Sequence, residues 1–301
     1  MPTSIARYFT QKNVMGNFRK LVHQGAEPSS LRSLLDVILT GHTLDAHSIS
    51  CKHIYRSRGY EKGRLFSHVD ELKYPPARFI TTKGRLNDIG QSVFYGSSTE
   101  LGTLIEARPE RDQLFVISKI DCIRPDQLMF LPLGMDPHNY VPSSAMLSAK
   151  AEGKASRLVT EFLRQEMTQL VTEPAGYNGS IAIANHFFRA CLLNYGGSDR
   201  LGLIFPSVHG RKISNVTTYN LGILPRTFDE NYQINQVDVY SLTYEVSRHE
   251  LVLISLNTGT VRKNGLIDWQ HNLEEMRKRT EAGIFGLDIK NEEIKRVAEL
   301  I

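Results

Sequence analysis

The stretch Gly84–Arg108, GRLNDIGQSVFYGSSTELGTLIEAR, limits the possible folds most, because its pattern changes three times within 25 residues. It opens as a turn: Gly84 and Gly90 accept backbone conformations closed to other residues, and Asn87 and Asp88 satisfy their own backbone locally. Arg85 therefore projects from a loop. Ser92–Tyr95 has β-branched and aromatic character between Gly90 and Gly96, which predicts a short, largely buried strand. Ser97 and Glu100 then have the spacing of a capping box, so a helix is expected to start there, with Leu101, Leu104 and Ile105 as its apolar stripe. Such a strand–turn–helix unit needs a sheet to join and a core to pack on.

On that helix Glu106 falls at the border of the stripe, with Gly102 one turn earlier on the same face. Glycine inside a helix costs about 1 kcal/mol relative to alanine, so its use predicts either close packing or room for a ligand beside the carboxylate. Arg85 and Glu106 read equally as ordinary surface charges from spacing alone.

A chain of 301 residues with 41% hydrophobic and 23% charged content is globular rather than disordered. Its formal charge of +4, not gathered in clusters, suits anionic small molecules and makes nucleic acid an unexpected partner. Cys51, Cys122 and Cys191 form no CxxC pair, so neither a disulfide framework nor a zinc site is indicated, and a cytoplasmic location is expected. No signal-peptide core and no run of about 18 apolar residues occurs, so no membrane association is expected.

In chain order, Ser4–Gly41 is helical and basic. Cys51–Arg58 alternates as a strand placing Arg56 and Arg58 on one face, where paired guanidinium forks suit phosphate. Gln113–Ile120 is a strand, Leu128–Pro142 a proline- and glycine-rich crossing, and Ala155–Thr172 an amphipathic helix. Tyr177–Ser180 opens a helix over Ile181–Leu193, and Leu201–Phe205 is a buried strand ending at Pro206-Ser207. A hydroxyl there, followed by Ser214-Asn215, could meet an anion. Lone His209 lacks a nucleophile-elbow context and is structural by default. Strands at Val237–Val246 and Glu250–Leu256 follow, with helices around Leu273–Arg279 and Asn291–Leu300. No Walker loop, zinc-protease helix or dinucleotide-binding glycine fingerprint occurs.

Taken together, IYRSR, then GRLNDIGQSVFYGSSTELGTLIEAR, then YNGSIAIANHF, then LGLIFPSVHG with ISNVTTYN, over roughly Cys51–Leu224, resembles the RES domain of bacterial NAD-degrading toxins. The turn GRLNDIG departs from the more usual GRFNPPG or GRWNPPG. The chain also has extra residues on both sides of the match. The resemblance implies an α+β fold like that of ADP-ribosyltransferases for the RES domain (residues 51–225); outside the match, a helical N-terminal extension (1–50) and C-terminal strands and helices that could pack on the core (226–301) are expected. It implies cleavage of the nicotinamide–ribose bond of NAD+ by phosphate or water, as an NAD+ phosphorylase or glycohydrolase. NAD+ would be the substrate, phosphate a possible co-substrate, and neither a metal nor a resident cofactor is required.

By the same resemblance Glu106, Arg85 and Tyr95 are the catalytic candidates, and Arg56, Arg58, Asn87, Ser207 and Asn215 the substrate-binding ones. A neutralising antitoxin and self-association are the expected partners, with the terminal extensions shaping those surfaces. Transfer of ADP-ribose to a protein, and a non-catalytic nucleic-acid-binding module, stand as alternatives.

Overall fold

A computed structural model describes residues 4–42, 47–48, 53–60, 64–107, 114–123, 129–135, 154–194, 201–207, 218–245 and 250–281. Helices are α1 (Ser4–His23), α2 (Arg32–Ile38), α3 (Glu100–Ala107), α4 (Lys154–Thr168), α5 (Asn178–Asn194), α6 (Pro225–Asn231) and α7 (Leu273–Glu281). Strands are β1 (His47–Ser48), β2 (His53–Gly59), β3 (Phe94–Ser97), β4 (Leu114–Cys122), β5 (Met129–Pro132), β6 (Leu201–Pro206), β7 (Tyr219–Ile223), β8 (Tyr232–Glu245), β9 (Glu250–Val261) and β10 (Ile267–Trp269). Among these residues the strands form a 10-stranded mixed sheet in the order β1-β5-β6-β7-β3-β2-β4-β8-β9-β10, so the fold class is α+β. The three C-terminal strands extend the same sheet through the β4–β8 ladder. The helix expected over Asn291–Leu300 lies outside the described residues.

Side-chain alternation packs the sheet on both faces. Phe94 and Ile204 enter one apolar cluster with Phe66, Phe228 and Val239, whereas Leu203, Phe205 and Tyr95 belong to another with α4 and α5. The second cluster is completed by the N-terminal segment, since Met15, Phe18, Val22, Leu31, Leu35 and Ile38 are all buried in it. Arg19 ties α1 to α4 through an ion pair of 2.8 Å with the buried Glu166. The N-terminal helices are therefore structural mass of the core.

The β2–β3 ladder holds a single residue pair, Tyr55↔Ser97, whereas β2 pairs with β4 over its whole length. Gly96 permits that one close approach: a Cβ there would lie 2.8 Å from the Tyr55 carbonyl oxygen. Away from this point the two strands are unpaired, and a cleft opens where they part.

Candidate functional site

The cleft has a volume of about 410 Å³ and is lined by Arg56 and Ser57 of β2, the Gly84–Asn87 loop, Tyr95 of β3, Glu106 of α3, Tyr177 and Asn220. Its floor is the Glu106 carboxylate, delivered by α3. That helix starts two residues later than the capping-box reading implies: Thr99, not Ser97, caps it, accepting the Gly102 N–H at 2.9 Å. Ser97 is instead the last residue of β3 and donates its hydroxyl to the Tyr219 carbonyl. The strand also runs Phe94–Ser97 rather than Ser92–Tyr95. A Cβ on Gly102 would lie 2.1 Å from Ser97 Oγ and 3.0 Å from Thr218 Cβ, so this glycine serves close packing. That contact presses α3 onto β3 and β7.

Among the described residues, two side chains donate to Glu106 and a third stands beside it. Ser207 Oγ and Asn220 Nδ2 reach its Oε1 at 2.5 and 2.9 Å, and the Tyr95 phenol lies close enough to the same carboxylate to feel its charge. These come from β3, β7 and the residue just past β6, three neighbouring strands on one side of the cleft. Burial, reinforced by the Glu106 charge and opposed by Arg85, pushes the Tyr95 phenol well above its usual range. It stays a protonated donor at any physiological pH. Ser207 is buried, and Asn220 is fully so. Ser207 thus sits behind the carboxylate, which it holds, rather than on the cleft surface.

The arginines divide. Arg56 crosses the gap between the parted strands, donating Nη1 to the Tyr95 carbonyl, with its guanidinium 5.4 Å from the Phe94 ring. Its Nε is shielded from water and has no hydrogen-bond partner among the described residues. Burial, and secondarily Arg58, draws its pKa down to about 10, so the charge persists at neutral pH. Arg85 spends Nη1 and Nη2 on the Met167 and Gln169 carbonyls at 2.9 and 3.0 Å, closing the C-terminal end of α4, and lies over the Tyr177 ring. Arg58 is exposed, donates to the Glu71 carbonyl and does not line the cleft.

Asn87 lines the mouth, in a tight turn where Gly84 and Asn87 exchange backbone hydrogen bonds of 3.0 and 3.4 Å. Asn215 and His209 lie outside the described residues. Sequence reasoning missed Asn220, whose role depends on β7 pairing with β3, and Tyr177, read only as the start of a helix. The one signal for Asn220 was its place in the segment ISNVTTYN.

Among the described residues the cleft therefore joins a carboxylate held by Ser207 and Asn220, two guanidinium groups and two phenols, a set suited to an anionic ligand that develops positive charge near its reacting carbon. Among the described residues no helix is long and apolar enough to cross a membrane. No protein-family model, no curated protein and no solved structure matches the chain.

Proposed function

We propose that the protein binds NAD+ in this cleft and cleaves its nicotinamide–ribose bond, with the RES-domain toxins as the family it resembles and an ADP-ribosyltransferase-like arrangement of the site. The observation that carries this reading is Glu106 fixed at the cleft floor by Ser207 and Asn220, with Tyr95 beside it, while Arg56 and Arg85 lie in the walls. The C–N bond to the ribose breaks with its electron pair leaving on nicotinamide, which departs neutral. The resulting oxocarbenium-like cation is stabilised by the Glu106 carboxylate, which donors already hold and which needs no reorganisation. An oxygen of water or of inorganic phosphate forms the new bond to the anomeric carbon. With water, the proton it loses passes to Glu106 or to solvent.

Arg56, which lines the cleft with its charge intact at neutral pH, is the favoured partner for the pyrophosphate, and Arg85 adds charge while holding the wall. Tyr177 offers a ring face to a base or to nicotinamide. The test is incubation of the purified protein with NAD+, with and without phosphate, following nicotinamide release and the sugar product. ADP-ribose 1″-phosphate identifies phosphorolysis and free ADP-ribose hydrolysis. An intact dinucleotide after long incubation, with no binding by calorimetry, rejects the reading.

A further inference from the structure

The Arg85–Tyr177 wall is secured from behind by residues that do not line the cleft. Lys83, two positions before Arg85, donates its Nζ to Asn178 Oδ1 at 2.9 Å, and Asn178 directly follows Tyr177. The two stacked residues and the two bonded residues thus close a ring: Arg85 over Tyr177, Tyr177 joined to Asn178, Asn178 bonded to Lys83, Lys83 joined through Gly84 to Arg85. The N-terminal segment pins this ring. Its turn supplies Glu27, whose Oε2 lies 2.8 Å from Lys83 Nζ, and the Ala26 carbonyl, which accepts from Asn178 Nδ2 at 3.0 Å.

Burial shows how tightly the arrangement is held. The Lys83 side chain is 13% exposed, and Asn178 is 1% exposed with both ends of its amide engaged. Asp88 stands 3.9 Å from the ammonium, so Lys83 also draws the far end of the Gly84–Asn87 turn inward. A lysine packed this closely is retained only where its hydrogen bonds are made, because an orphaned buried ammonium is costly.

We infer that Lys83 and Asn178 are positioning residues that set the distance between Arg85 and Tyr177, so that the turn at Ala26 and Glu27 fixes the ligand affinity of a cleft it does not touch. This rests on the dinucleotide reading for its kinetic readout only. Loss of the Lys83–Asn178 bond frees the loop and leaves Glu106 with Ser207 and Asn220 in place, so binding suffers and the chemical step does not.

The experiment compares wild type, Lys83→Met, Asn178→Ala, the double variant and Lys83→Arg, by NAD+ kinetics and by amide hydrogen exchange over residues 84–88. The expected result is a KM raised about tenfold in Lys83→Met and Asn178→Ala with kcat within about twofold, no further rise in the double variant, and recovery in Lys83→Arg. Exchange over the loop should quicken about tenfold without ligand. Unchanged exchange in a folded Lys83→Met overturns the inference, as does a fall in kcat with KM unaltered. If Lys83→Met fails to fold, Glu27→Gln loosens the exposed end of the same latch, and its loop exchange decides the matter. A wild type that neither binds nor consumes NAD+ rejects the functional reading, while the exchange data still judge the latch.

Discussion

Glu100 and Glu106 lie six residues apart on α3 and meet opposite surroundings. Among the described residues Glu106 receives hydrogen bonds from Ser207 and Asn220, both neutral donors, with the Tyr95 phenol beside it. Glu100 receives one, from Tyr240 at 3.1 Å, and faces the like charge of Asp238. Its place in the first helical turn favours an anion, yet burial outweighs that and raises its pKa; Tyr240 and Lys119 pull the other way. One helix therefore carries a carboxylate that its neighbours hold ready and another that they merely tolerate. Identity and helical context do not separate the two, whereas the strands each one faces do.

The largest effect expected from this contrast is on chemistry. Glu106→Gln keeps the shape and removes the charge, so NAD+ cleavage should fall about 10³-fold with the melting temperature near that of wild type. Glu100→Gln should retain its turnover. Equal losses in both, measured as kcat on folded protein, would erase the distinction between the two ends of α3.

Next in size is the cradle. Ser207→Ala and Asn220→Ala should each lower kcat about 10- to 100-fold, and because both donors meet the same oxygen the double variant should lose less than the product of the two. A double-mutant cycle showing strict additivity would mean that they act on Glu106 independently.

The smallest effect is a pH-dependent one on stability. Glu100 has a folded-state pKa above its ordinary 4.5, so the folded protein binds its proton more tightly than the unfolded chain does. Its contribution is fully favourable below that value and is lost as pH rises through the folded-state pKa. Glu100→Gln should therefore raise the melting temperature by a few degrees at pH 7 and by almost nothing at pH 4. Asp238, shifted in the same direction by its burial, is expected to behave likewise. A gain larger at pH 4 than at pH 7 would contradict the assigned direction.

Local chemistry made much of this legible in the sequence. The Gly84–Asn87 turn, the short strand into a glutamate-bearing helix and the amphipathic helix near Ala155–Thr172 each depend on residues close together in the chain, although that helix ends at Thr168 and leaves Leu170 58% exposed. The error at Ser97 came from two hydroxyls two positions apart, either able to cap; a strand that ends two residues beyond the Ser92–Tyr95 pattern decided it. The Leu128–Pro142 crossing hid β5, because a four-residue strand carries too little period to stand out beside glycine and proline. The partners of Arg85, the Met167 and Gln169 carbonyls, lie more than 80 positions away and leave no local trace. For the N-terminal segment, basic residues among apolar ones gave no sign that Phe18 and Leu35 would be fully buried in the core.

The seam between β2 and β3 divides the sheet into two sets of five strands, β1-β5-β6-β7-β3 and β2-β4-β8-β9-β10. Followed along the chain, the connections from β1 to β2, β2 to β3, β3 to β4, β4 to β5 and β7 to β8 each pass from one set to the other. The two sets are thus stitched covalently where they are scarcely hydrogen-bonded. Neither set can be expressed as a contiguous fragment, and both must be assembled before the cleft exists, which makes its formation a late event governed by contacts distant in sequence. Once formed, the gap can widen only as far as those five threads allow. A molecule bound across it would act as a further stitch, so the protein's resistance to unfolding should report occupancy of the seam directly.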